Sequence, residues 1–245
     1  MKSLLIALQF LTIIPLRHPA EVKENDFASS MAFFPLVGMI IGGLLILINL
    51  TTSIFLSPLI ASALVLIGWV GISGALHLDG FTDTIDGLCG GKNRGETLKI
   101  MKDSSNGAKG ITALICLLLL KFTLLVGLTA SCKNYALLFT PVVGRWSMVM
   151  GTYLSPYARK EGLAKVFFNH KRAREIFWAS LITSCLGLVL FKLEFFYIIG
   201  IVLTANFLLI VYLKRRIGGL TGDTLGGLNE VIELLALFSI LWLNS

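Results

Sequence analysis

The sequence predicts an all-α, polytopic integral membrane protein with seven or eight apolar helices, and three observations carry that expectation. Of its 245 residues, 56% are hydrophobic and 14% charged, with a mean hydropathy of +0.84; soluble domains run nearer 45–50% apolar and about 25% charged. Apolar stretches approaching the roughly 20 residues that cross a bilayer recur along the chain. The segments between them alternate between rich and poor in basic residues, as loops on opposite faces of a membrane do.

That composition excludes a soluble enzyme, a disordered tail and a disulfide scaffold, because the polar residues are too few to cover a water-exposed core. The net charge of +7 is therefore read through its distribution among loops rather than as a nucleic-acid footprint, and no nucleic-acid partner is expected. Cys89, Cys116, Cys132 and Cys185 form no C-x-x-C pair, so neither a disulfide framework nor a structural zinc site is implied.

The first apolar run, 4–16, follows only Lys2, contains Gln9 and has no A-x-A site after it. It reads as a retained element, either spanning or lying in the interface. Stretches 31–50, 58–78, 110–130, 135–154, 176–191, 195–213 and 228–243 follow as spans. Loops 17–30, 79–109, 155–175 and 214–227 hold 16 of the 21 Lys and Arg residues, whereas 51–57, 131–134 and 192–194 hold only Lys133 and Lys192. The positive-inside rule makes the basic set cytoplasmic, with Cys89 and His170 on that side and Cys132 near the outer face. Residues 1–245 read as a single membrane-embedded catalytic domain in the cell membrane, its chemistry facing the cytosol.

The most informative stretch runs from Gly74 to Leu88, where Asp79, Asp83 and Asp86 fall within an arc of roughly 60° on one helical face. Three like charges on one stripe repel unless a hard cation neutralises them, and carboxylates completed by water and phosphate oxygens are what Mg²⁺ prefers. Asp79, Asp83, Asp86 and Asp103 are the candidate metal ligands. His77, about 160° around from Asp79, reads as a packing residue.

Downstream, the glycine-rich segment 87–95 carries Lys92 and Arg94, which can offer backbone N–H groups and cations to phosphates, with a flexible turn as the competing reading. Lys102, Asp103, Ser104 and Asn106 crowd the entry to the next span, as caps or as ligand contacts. Lys121 and Arg145 lie inside predicted spans, where an ionisable residue is by default functional; Lys121 reads as structural, and Arg145 either grips phosphate bidentately or pairs with an aspartate. Asp223 and Asn229 follow the basic cluster Lys214 to Arg216 as the chain leads into the last span. An acid there has no topological use, so Asp223 is a second-helix candidate for the same site.

These residues resemble one known family, the cobalamin synthases (adenosylcobinamide-GDP ribazoletransferases). The likeness runs nearly end to end, through 9–15, 33–38, His77-Leu-Asp-Gly-Phe-Thr-Asp-Thr-Ile-Asp-Gly87, 101–104, Gly144-Arg-Trp146 and Gly219-Leu-Thr-Gly-Asp-Thr-Leu-Gly226. The resemblance implies a Mg²⁺-dependent membrane enzyme that joins adenosylcobinamide-GDP to α-ribazole or its 5′-phosphate, releasing GMP. It further implies Asp83, Asp86 and Arg145 as catalytic and Lys92, Arg94, Lys102, Ser104, Asn106, Asp223 and Asn229 as substrate-binding residues. Self-association into a homo-oligomer is left open. Two rival readings stand beside it. A CDP-alcohol phosphotransferase would place Ala-Arg shortly after Asp-Gly, where this chain has Phe81-Thr82-Asp83. A secondary transporter would line its pathway with Lys121 and Arg145.

Overall fold

In the computed structural model, residues 2–15, 22–103, 105 and 107–244 are described. The chain opens with the short helices α1 (Lys2–Leu11) and α2 (Glu24–Ser30), then a 3-10 turn (Met31–Phe33) that leads into α3 (Phe34–Thr52). There follow α4 (Pro58–Ser73), α5 (Leu76–Gly90), α6 (Arg94–Ile100), α7 (Ala108–Gly127), α8 (Ala130–Leu154), α9 (Lys165–Asn169), α10 (Ala173–Phe191), α11 (Glu194–Ile217) and α12 (Gly222–Leu243). Among the described residues there is no strand beyond one isolated parallel bridge, Tyr157 to Leu220.

Among the described residues, five helical stretches are long and apolar enough to cross a membrane: 24–52, α7, α10, α11 and α12. A sixth arises if α4 and α5 count together, against the seven or eight expected. The difference has identifiable causes. The expected span 58–78 is broken at Gly74 and Ala75, both with positive φ (61° and 56°), and α5 leaves α4 at 87°. At 1.5 Å per residue, the ten residues of α1 reach about 15 Å, half the roughly 30 Å hydrocarbon core. Helix α8 has 25 residues, but it is less apolar than the others because it is the buried centre of the bundle and carries Lys133 and Arg145.

Close packing on α8 depends on glycine. A Cβ on Gly38 or Gly42 of α3 would come within 2.7 Å of the α8 backbone at 137–142, so the G-x-x-x-G spacing lets the two backbones touch, as small-residue stripes do between membrane helices. On the opposite side Gly144 lies against Asn229 and Glu233 of α12. Helix α12 in turn meets α5 where Gly80 abuts the Asp223 backbone and Gly226 the His77 backbone.

Four loop regions gather at one end. Arg94 donates to the Ala158 carbonyl (3.1 Å), Arg216 to Gly91 (2.6 Å), and His170 meets Glu24 (2.8 Å). These are the segments whose basic residues set them apart in the sequence, and their convergence places the N-termini of α7 and α12 beside α5.

Candidate functional site

At that end α5, the first turn of α12 and the loop 155–164 enclose a cavity of about 270 Å³. Asp79, Asp223, Arg159, Tyr157, Thr152 and His77 form its polar side; Phe10, Phe34, Leu76, Met148, Phe167 and Leu225 form much of its apolar side. The aromatic wall is braced within itself: Phe10 and Phe34 lie 5.0 and 5.7 Å from Phe167, the buried centre of α9.

Asp79 and Asp83 project from successive turns of α5, and Asp223 meets them from α12 because Gly80 lets the two helices touch. Asp83 is half-buried; Asp79 and Asp223 act on it as like charges and Arg159 as the counter-charge. Arg159 itself holds Asp223 at 2.6 Å. Burial pushes the Tyr157 phenol above its ordinary range, so it stands beside these groups as a hydrogen-bond donor. Carboxylates, a guanidinium and a phenol around one mouth are the chemistry of a phosphate or pyrophosphate site.

Asp86 departs from the stripe. Its two oxygens accept N–H bonds from Gly107 and Gly110, each at 2.8 Å, at the start of α7. It fastens α5 to α7 by satisfying donors that would otherwise be orphaned at a helix N-terminus. Asp86→Asn turns an amide N–H toward one of those donors. The expected cost is about 1–2 kcal/mol of stability, the scale of a lost cap, read as a lower thermal midpoint in detergent.

Arg145 sits elsewhere again. Fully buried, it pairs with Glu233 and places Nη2 3.4 Å from His77 Nδ1. Lys121 bonds Glu230 and Glu233, both at 2.6 Å, and lies 4.9 Å from the centre of the Trp69 ring. Asn229 donates to Glu230 at 3.2 Å. Two cations and two anions thus close a neutral network in the interior, and neither Arg145 nor Asn229 lines the cavity. The partners of Arg145 and Lys121 are glutamates of α12 rather than an aspartate, and neither cation lines an open pathway.

The glycine-rich segment makes close contacts within its own turn. Asn93 caps α6 through Glu96 N–H (3.0 Å), Glu96 accepts from Lys92 N–H (2.9 Å), and Gly91 packs against Thr97 where a Cβ would clash at 2.3 Å. Its amides therefore serve the turn. Arg94 braces loop 155–164 and lies over Gly218, while Lys92 and Lys102 are exposed. Asp103 is exposed too and accepts Ser105 N–H and O–H bonds, which hold its carboxyl below the usual range. Ser104 and Asn106 lie outside the described residues.

Sequence reasoning missed Tyr157, Arg159, the phenylalanine wall and the place of His77. The signal available was Ser155-Pro-Tyr-Ala-Arg159 at the exit of α8, where the cations read as topogenic. His77 lines the cavity, and its buried Nε2 has no partner among the described residues.

Fold and site together define a polytopic α-helical membrane protein with an acid-rich, cation-flanked cavity suited to phosphate esters. The family model described as cobalamin-5-phosphate synthase matches residues 3–241, and the chain belongs to that family. Curated relatives named adenosylcobinamide-GDP ribazoletransferase agree. The protein from Desulfitobacterium hafniense (strain Y51) is 39% identical over 99% of this chain and 98% of its own length. Those from Thermoanaerobacter sp. (strain X514) and Desulforamulus reducens are 35% and 37% identical, over 96% and 98% of this chain and 95% and 96% of their own lengths. No solved structure matches the chain.

Proposed function

We propose that this chain transfers the phosphocobinamide moiety of adenosylcobinamide-GDP to α-ribazole or its 5′-phosphate, releasing GMP, in the last steps of cobalamin assembly. The observation that carries this reading is the juxtaposition of Asp79, Asp223 and Arg159 on the wall of one cavity, with Asp83 one helical turn beyond Asp79. Family membership and the relatives' names support the choice of substrates.

The donor set fits Mg²⁺. Its ligands would be carboxylate oxygens of Asp79 and Asp223, since Mg²⁺ is commonly held by one or two carboxylates with water and substrate phosphate. That also accommodates the finding that, among the described residues, no three His, Cys, Asp or Glu side chains form a ready-made metal site. When bound, the ion would neutralise charge developing on the departing GMP. The chain's own groups do the rest. Arg159 and Tyr157 position the pyrophosphate, with exposed Lys92 and Lys102 drawing it toward the face, and Asp83 takes the proton of the attacking ribose hydroxyl. Asp83 suits that task because it stands one helical turn from Asp79 and outside the ligand pair.

A phosphorus label tests the transfer. With label only in the phosphate nearest the corrinoid, all of it is expected in the cobalamin product, because GMP leaves with the bridging oxygen. Label in GMP would refute the assigned attack.

The acid cluster would face the cytosol across the cytoplasmic membrane, since the convergent loops carry the basic residues. Cys89 is exposed at that end. Cys132 is buried and within 3.3 Å of the Thr129 hydroxyl, so its thiol is shielded whatever the topology. A cysteine placed at exposed Lys192 is the better outer probe. A membrane-impermeant thiol reagent applied to intact cells is expected to label Lys192→Cys and spare Cys89; the opposite pattern would invert the orientation.

A further inference from the structure

We infer that the cavity is the acceptor-nucleoside subsite: it takes an aromatic nucleoside with an apolar bicyclic base, while the corrin macrocycle stays outside over the acid-lined mouth. This deepens the proposed transfer and rests on it. Size makes the first division. About 270 Å³ lies near the lower end of the roughly 300–1,000 Å³ typical of small-molecule sites. That is room for one nucleoside and far too little for a corrin with its side chains.

Chemistry makes the second division, because the lining is two-sided. Phe10, Leu76 and Leu163 offer apolar surface to a planar base, with Phe34 and Phe167 buried behind the Phe10 ring as its support. A guanine or adenine would leave its polar edge unpaired against that wall, whereas a benzimidazole base has almost none to lose. The other side, Asp79 with the Arg159–Asp223 pair, faces what a ribose carries, hydroxyls and a 5′ substituent.

The experiment uses the purified full-length chain and two substitutions outside the acid cluster. Phe10→Ala removes an aromatic face from a half-buried position, and Ala164→Phe fills the cavity from its wall. Equilibrium dialysis with radiolabelled α-ribazole, in the absence of corrinoid, is expected to show at least about tenfold weaker binding for Phe10→Ala and none for Ala164→Phe. In the transfer assay Phe10→Ala is expected to raise the nucleoside KM by the same factor and leave the KM for adenosylcobinamide-GDP within about twofold. Its preference for a benzimidazole over an adenine nucleoside should narrow. Unchanged nucleoside binding in both variants, or a shift confined to the KM for the activated corrinoid, would overturn the inference. Absence of GMP release from the unsubstituted protein would instead count against the transfer itself, and dialysis would still decide the subsite.

Discussion

Asp83→Asn is expected to lower turnover at least about a hundredfold, the scale of losing a preorganised electrostatic group, without loss of folded protein. The amide matches the carboxylate in volume, and the position is half-buried rather than sealed. Asp79 and Asp223 both press negative charge on Asp83, so removing its charge relieves repulsion. The thermal midpoint should stay level or rise while GMP release collapses. That opposition separates Asp83 from Asp86, whose asparagine variant should lose stability because the α7 amides lose an acceptor. Near-normal release from Asp83→Asn would leave the cluster as mere surface charge.

Glu233→Ala has the other large effect, on stability. It strands Arg145 and leaves Lys121 with one anion, in side chains 1% and 3% exposed. Breaking a buried pair costs about 3–5 kcal/mol, against a total stability of about 5–15 kcal/mol, so little folded protein should be recovered from membranes. The paired variant Arg145→Met with Glu233→Gln keeps Lys121 and Glu230 balanced and is expected to restore most of the folded yield. Its KM for adenosylcobinamide-GDP should lie close to that of the unsubstituted chain, because Arg145 does not line the cavity. A folded paired variant that had lost affinity for that substrate would return Arg145 to the pyrophosphate.

Periodicity and charge exposed much of this in the sequence. Apolar runs located most of the long helices, and the basic loops pointed to the end where the cavity forms. Asp79, Asp83 and Asp223 could be singled out because an acid near a span needs a reason to be there. What local pattern could not show was which partner each charge meets. Asp86 and Asp83 share a helical face, yet Asp86 is claimed by the α7 amides, a contact fixed by how α7 docks against α5. Arg145 looked like a phosphate ligand because its counter-charge, Glu233, is 88 residues away. Arg159 was hidden for the opposite reason, since a cation beside a span end has an ordinary topological use. The break at Gly74 and Ala75 was illegible because alanine gives no warning of a left-handed backbone.

The measurement closest to the central claim is GMP release by the purified chain supplied with adenosylcobinamide-GDP, α-ribazole and Mg²⁺. Release is expected to need both substrates, to stop on chelation of the metal, and to fall at least about a hundredfold in Asp83→Asn. Release independent of ribazole, or equal in the two proteins, would contradict that claim.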